Sequence, residues 1–138
     1  MNAVEFLDAN VLVYAYDTGE PKKRSIAQGY MQRALWGQYV ISVQVLAELS
    51  TTLMHRFAVP LLPEQIKRIL DALSPVRVVQ PDKELVRRAV EAHGEYGVYF
   101  YDGMILAAAE RAGCTKVWSE DLNAGQEYFG VRVENPFA

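Results

Sequence analysis

No apolar run in this 138-residue chain reaches the roughly 18 residues that a membrane-spanning helix needs, so a membrane span is not expected. The opening stretch MNAVEFLDAN has no basic region followed by an apolar segment. A cleaved export signal is therefore not expected, and a cytoplasmic location is. A single cysteine, Cys114, excludes an intrachain disulfide and fits a reducing compartment. It follows a largely apolar helix, and we read it as a buried structural thiol. The chain also lacks an excess of cations. With 14 Lys and Arg against 17 Asp and Glu, the net charge of −3 speaks weakly against phosphate binding by charge alone. If four acids were committed to a metal ion, the remainder would be close to neutral, so the sum does not decide the partner. Repeats, low-complexity tracts and linkers are absent too.

What is present is enough for a core: 51% of residues are hydrophobic, which at this length implies one globular domain over residues 1–138. Short apolar runs at Val4–Leu7, Tyr39–Ile41, Val76–Val79, Thr115–Trp118 and Val131–Val133 predict strands. Between them, helical periodicity predicts helices over Arg24–Trp36, from the Ser42 cap to about Phe57, from Pro63 to about Ser74, from Pro81-Asp82 to about Glu95, and from Asp102 to Ala112. Strands alternating with helices point to a three-layer α/β/α domain with a mainly parallel sheet of four to five strands. In such sheets, sites gather at the carboxyl ends of the strands.

Several acids stand at such places, and each alone has a structural explanation. Asp8 follows the first strand and can cap the segment starting at Ala9. Glu48 adjoins the apolar stripe Val45, Leu49, Leu53 and Phe57; it is either an exposed flanking residue or a buried charge that needs a cation. Asp102 can cap its helix, and Asp121 can start a turn. Together, all can point to one edge of the sheet, where carboxylates repel unless a cation neutralises them. All-oxygen ligation suits Mg²⁺ or Mn²⁺.

The segments FLDANVLVYA, ISVQVLAELS, YDGMILAAAERAGC, VWSEDLNAG and GVRVENPF, in that order and spacing, resemble the PIN-domain family, in particular its small VapC-type toxins of toxin–antitoxin pairs. The resemblance spans nearly the whole chain. It implies a metal-dependent endoribonuclease with Asp8, Glu48, Asp102 and Asp121 as the catalytic acids. Asp8, Asp102 and Asp121 would ligate the Mg²⁺ or Mn²⁺, and Asn10 and Ser119 would support them. Glu120 is expected to be the exposed neighbour of Asp121. Where the family often has Thr or Ser, this chain has Ala9, which removes a hydroxyl but no carboxylate. The resemblance further implies RNA as substrate, a cognate antitoxin and a homodimer. The alternative is a PIN-like scaffold that binds RNA or protein without cutting.

Other readings fit less well. A haloacid-dehalogenase phosphatase needs an aspartate where Asn10 stands, and a receiver domain needs a lysine after the strand that instead contains Lys116. His55 and His93 lie near predicted helix ends, away from the acids, and are read as structural or surface residues. Arg24 and Arg56 are the chosen phosphate contacts among the basic groups Lys22-Lys23-Arg24, Arg33, His55-Arg56 and Arg87-Arg88. Tyr96, Tyr99 and Tyr101 can stack on unpaired bases or pack inside the protein. Tyr30, Trp36, Leu46, Leu53 and Met54 can supply partner grooves or fill the core.

Overall fold

The computed structural model describes residues 4–138. Its elements are β1 (Val4–Leu7), α1 (Ala9–Tyr14), α2 (Pro21–Leu35), β2 (Tyr39–Ser42), α3 (Val43–His55), α4 (Pro63–Ala72), β3 (Arg77–Val79), α5 (Lys83–Tyr96), α6 (Phe100–Arg111), β4 (Cys114–Trp118), β5 (Glu127–Tyr128) and β6 (Val131–Glu134). They form a six-stranded sheet in the order β3-β2-β1-β4-β6-β5, with helices on both sides. Every pairing is parallel except β5 with β6.

Helices covering both faces leave the central strands β1 and β2 largely apolar where they are enclosed, while β4 and β6 keep an alternation with Thr115 and Arg132 exposed. All four residues of β2 are buried, and Phe6, Leu7 and Val117 of β1 and β4 are fully enclosed. Val45, Leu49 and Leu53 carry the buried face of α3, whose first turn is held by the Ser42 hydroxyl accepting from the Val45 N–H at 3.3 Å. A side chain such as Leu49, fully buried, contributes roughly 1.5–3 kcal/mol by leaving water.

Two helix starts differ from the sequence reading. Helix α2 begins at Pro21 rather than Arg24, since proline fits a first turn where no backbone donor is required. Helix α6 begins at Phe100, with Tyr99 as its cap, so Asp102 lies inside the first turn. An N-cap is thereby removed as the explanation for Asp102. Helix α6 runs against α5 so closely that a Cβ on Gly103 would come within 2.8 Å of the Ala89 carbonyl oxygen.

The sixth strand, β5, was not expected. It pairs with β6 across the two-residue turn Phe129-Gly130, in which both residues have positive φ (53° and 79°). Left-handed backbone at both positions is the geometry of a tight hairpin, but this turn lacks the Asn-Gly or Asp-Gly signature that announces it in sequence. Phe129 is held there by an edge-on contact with Tyr96 (centroids 5.2 Å apart) and by its N–H donating to the Tyr96 hydroxyl at 2.9 Å. Tyr96 is thus a packing residue.

Candidate active site

Strand order reverses direction at β1. From there the chain moves out through β2 and β3 on one side and through β4 and β6 on the other, which opens a crevice beyond the carboxyl ends of β1 and β4. Asp8 leaves β1 at this point, and Ser119, Glu120 and Asp121 leave β4. The two ends are tied by the Asp8 N–H donating to the Trp118 carbonyl at 3.0 Å. Helix α3 follows β2 and brings Glu48 to the crevice; the first turn of α6 brings Asp102. A cavity of about 750 Å³ lies there, and Asn10, Glu48, Arg56, Asp102 and Asp121 are on its wall.

Asp8 is 5% exposed and sits behind this wall rather than on it. Its Oδ1 accepts from the Ala9 N–H at 2.7 Å, which is the N-cap read from sequence, and its Oδ2 accepts from the Ser119 hydroxyl at 2.8 Å. The Asn10 amide joins the group. Its Nδ2 donates to Asp8 Oδ2 (3.3 Å) and Asp121 Oδ2 (3.2 Å), and its Oδ1 accepts from the Glu120 N–H (3.1 Å). Fully buried Ser119 also accepts from the Asp121 N–H at 3.2 Å. Asn10 and Ser119 therefore link Asp8 to the turn that carries Asp121.

The four acids act on one another. Burial pushes the Asp8 carboxyl up to about 7; the Ser119 and Ala9 hydrogen bonds oppose this, and Glu48 and Asp121 add to it. Burial raises Glu48 as well; Gln44 and, more weakly, the charge of Arg56 oppose the rise, while Asp102 and Asp121 reinforce it. Burial and the charge of Asp121 raise Asp102. Among the described residues, none of the four has a Lys, Arg or His within ion-pair distance.

Glu120 is where the structure corrects the sequence reading most clearly. It is not the exposed member of the pair: Lys23 Nζ and the Tyr14 hydroxyl each donate to its carboxylate at 2.7 Å, whereas Asp121 is exposed and faces the cavity. Of the chosen basic residues, Arg56 lines the cavity and Arg24 does not. Tyr99 and Tyr101, 65% and 51% exposed with centroids 5.7 Å apart, stand at the rim. Neither histidine is there: His55 is exposed near the end of α3, and His93 Nδ1 lies 2.8 Å from the Val98 carbonyl oxygen. Tyr30 and Leu53 fill the core, while Trp36 is 68% exposed. Cys114 is buried and free, and burial pushes its thiol up to about 11, as suits an inert structural cysteine.

Gln44 escaped the sequence reading. Its Nε2 donates to Glu48 Oε1 at 2.7 Å and to the Tyr101 carbonyl at 3.0 Å, tying α3 to the start of α6. The four-residue spacing from Gln44 to Glu48 on one helix was a usable signal for the first of these bonds.

The donor set consists of hard oxygens under mutual repulsion, which is the chemistry of a Mg²⁺ or Mn²⁺ site. As the side chains stand, no three Asp, Glu, His or Cys among the described residues are drawn together as a finished ligand set. No curated protein matches the chain. Among solved structures, the fold is similar to a toxin–antitoxin complex from Klebsiella pneumoniae, at 20% identity over 96% of this chain and 97% of that one, with a TM-score of 0.70. It is also similar to VapC20 of Mycobacterium tuberculosis, described as a sarcin-ricin-loop-cleaving toxin, at 18% identity over 85% and 89% and a TM-score of 0.66. VapBC2 from Rickettsia felis, bound to a DNA fragment from its promoter, gives 18% identity over 96% and 98% and a TM-score of 0.66. At these identities the likeness is one of fold. The profile of the PIN domain matches residues 6–126, a stretch that holds all four acids, and the chain belongs to the PIN-domain family.

Proposed function

We propose that the protein is a metal-dependent endoribonuclease and the toxin of a type II toxin–antitoxin pair. One observation carries the reading: Glu48, Asp102 and Asp121 line one crevice of a PIN-domain fold with Asp8 buried behind them, and among the described residues none of the four is in an ion pair. A fold gains nothing by crowding like charges, so a bound cation is the simplest reason to hold them there.

Asp8, Asp102 and Asp121 would hold Mg²⁺ or Mn²⁺, with Glu48 beside them. When bound, the ion lowers the pKa of water and stabilises charge on the reacting phosphate. The chain's own residues supply the rest. Asn10 and Ser119 keep Asp8 and Asp121 in register, and Gln44 orients Glu48. Arg56 meets a substrate phosphate, and Tyr99 and Tyr101 offer ring faces to unpaired bases, a contact worth about 1–3 kcal/mol per base. The reaction is hydrolysis of an RNA phosphodiester, leaving a 5′-phosphate without use of the ribose 2′-hydroxyl.

The exposed Trp36 and Met54, on the helices expected to carry partner grooves, suit a homodimer or an antitoxin, and the setting is cytoplasmic. Among the described residues no helix is long and apolar enough to cross a membrane. A second reading, a PIN-like scaffold that binds without cutting, draws on the same lack of a finished ligand set.

The test is cleavage of pooled transfer and ribosomal RNA in Mg²⁺, Mn²⁺ or EDTA, with Asp102→Asn purified in parallel. Metal-dependent fragments with 5′-phosphates that vanish in the variant establish the nuclease. RNA that is bound and left intact under every condition establishes the scaffold.

A further inference from the structure

Beside the four acids stands a fifth carboxylate with the opposite treatment. Glu120 adjoins Asp121 on the turn after β4 and also lines the crevice, yet both of its oxygens already have donors. The Tyr14 hydroxyl, at the end of α1, donates to Oε1, and Lys23, in the first turn of α2, donates to Oε2, each at 2.7 Å. The ammonium, still partly exposed, has further neighbours. It lies 3.4 Å from the Tyr14 hydroxyl, 4.8 Å from the centre of the Tyr14 ring and 5.6 Å from that of Phe137. Phe137, next to last in the chain, packs edge-on against Tyr14 with centroids 4.9 Å apart. Residues from α1, α2, the turn after β4 and the segment at Phe137 thus meet around one ammonium.

The turn is held from two sides. On the crevice side, Asn10 accepts from the Glu120 N–H and donates to the Asp121 carboxylate. On the far side, Lys23 and Tyr14 grip the Glu120 carboxylate. Apart from these two anchors and Ser119, little fixes the orientation of exposed Asp121. If Lys23 were lost, Glu120 would hold an unpaired charge one residue from Asp121 within the crevice, where a second free carboxylate competes for the same cation.

We propose that Glu120 is a positioning residue, clamped by Lys23 and Tyr14 so that, of the two carboxylates on the β4 turn, only that of Asp121 stands in the crevice without a cation partner, and that Lys23 serves this clamp rather than the substrate. The inference rests on the crevice being the nuclease site, and it gives Lys23 a role distinct from that of a phosphate-binding surface lysine. Such a lysine would act on substrate affinity; a clamp acts on turnover and on the environment of Asn10 and Asp121.

The experiment uses the full chain as wild type, Lys23→Met, Lys23→Arg, Glu120→Gln and the Lys23→Met/Glu120→Gln double variant. Steady-state cleavage in Mn²⁺ is read together with the ¹⁵N resonances of the Asn10 side-chain amide and the Asp121 backbone amide. The clamp predicts a kcat about tenfold lower for Lys23→Met, a KM for RNA within twofold of wild type, and displaced Asn10 and Asp121 signals. Lys23→Arg recovers most of the loss. The double variant is no worse than Lys23→Met, because the two residues act as one unit. A raised KM with unchanged kcat would make Lys23 a substrate contact and overturn the clamp. So would additive losses, or resonances that stay in place in a well-folded Lys23→Met. If the wild type cleaves no RNA, the nuclease reading fails, while the resonances still decide whether Lys23 and Glu120 hold the turn.

Discussion

Carboxylates are treated in two opposite ways on this molecule. On the outer face of α5 and α6, acids meet cations: Arg88 donates to Glu110 through Nε (2.8 Å) and Nη2 (2.9 Å) and to Glu91 through Nη1 (2.7 Å), and Arg111 reaches Asp82 at 2.7 Å. The Arg111 hydrogen bond, aided by the Leu85 N–H, holds the Asp82 carboxyl below its usual range. At the other end of α6, Asp102 faces Asp121 and Glu48 with no such partner, and its carboxyl is pushed upward. The same helix therefore carries one acid that contributes to folding and another that opposes it. Position along the helix decides which, because Asp102 in the first turn of α6 opens on the crevice while Glu110 near its end meets Arg88 of α5.

The comparison can be broken most decisively at Asp102. Asp102→Asn should lower RNA cleavage on the order of a thousandfold or more. It should also raise the metal-free melting temperature, because a half-buried charge has been removed. Retained metal-dependent activity would strike Asp102 from the site. Within the turn after β4, Asp121→Asn should cost far more activity than Glu120→Gln, and the reverse order would exchange their roles.

A pH series sharpens the contrast next. The Asp8 carboxyl at about 7 lies above its ordinary 3.8, so between those values the folded chain keeps a proton that the unfolded chain has lost. Metal-free protein should therefore lose stability as pH rises from about 4 to 7, by an amount on the order of a few kcal/mol. Glu48 and Asp102, also raised, act in the same direction. Melting in EDTA at pH 5 and pH 8 reads the effect, and saturating Mn²⁺ should reverse it. Equal melting temperatures in EDTA would mean that the acids do not crowd one another.

Smaller effects belong to the supporting face. Gly103→Ala forces a methyl group onto the Ala89 carbonyl and should cost about 1–3 kcal/mol in denaturant unfolding, with Asp102 displaced along with its helix. Arg88→Met should change stability by no more than about 1 kcal/mol, since its pairs are partly solvated, and should leave cleavage untouched. A large loss of activity in Arg88→Met would end the separation between the two faces.

Much of this was legible in the chain itself. Short apolar runs ending in Asp8 and in Ser119-Glu120-Asp121 marked strand ends, and parallel strand ends converge whatever the details of packing. Glu48 could be suspected because it adjoins the apolar face of its own helix. The start of α6 was misplaced because Asp102 is a good capping residue by type, while Phe100 and Tyr101 have no such local mark. The role of Glu120 was misread for a different reason. Its partners lie on α1 and α2, almost a hundred residues or more away in sequence, and no local pattern reports a contact of that range. Strand β5 was missed because its two residues pair through a turn stabilised by Tyr96 rather than by its own sequence.

The two ends of the sheet limit how the molecule can meet others. The edge strands are β3, with three residues, and β5, with two, and β5 is already half of a tight hairpin. Free backbone donors and acceptors at a sheet margin are what template strand addition and edge-to-edge aggregation. Here that margin is at most three residues long on either side. A strand added at either edge would therefore find at most three residues to pair with.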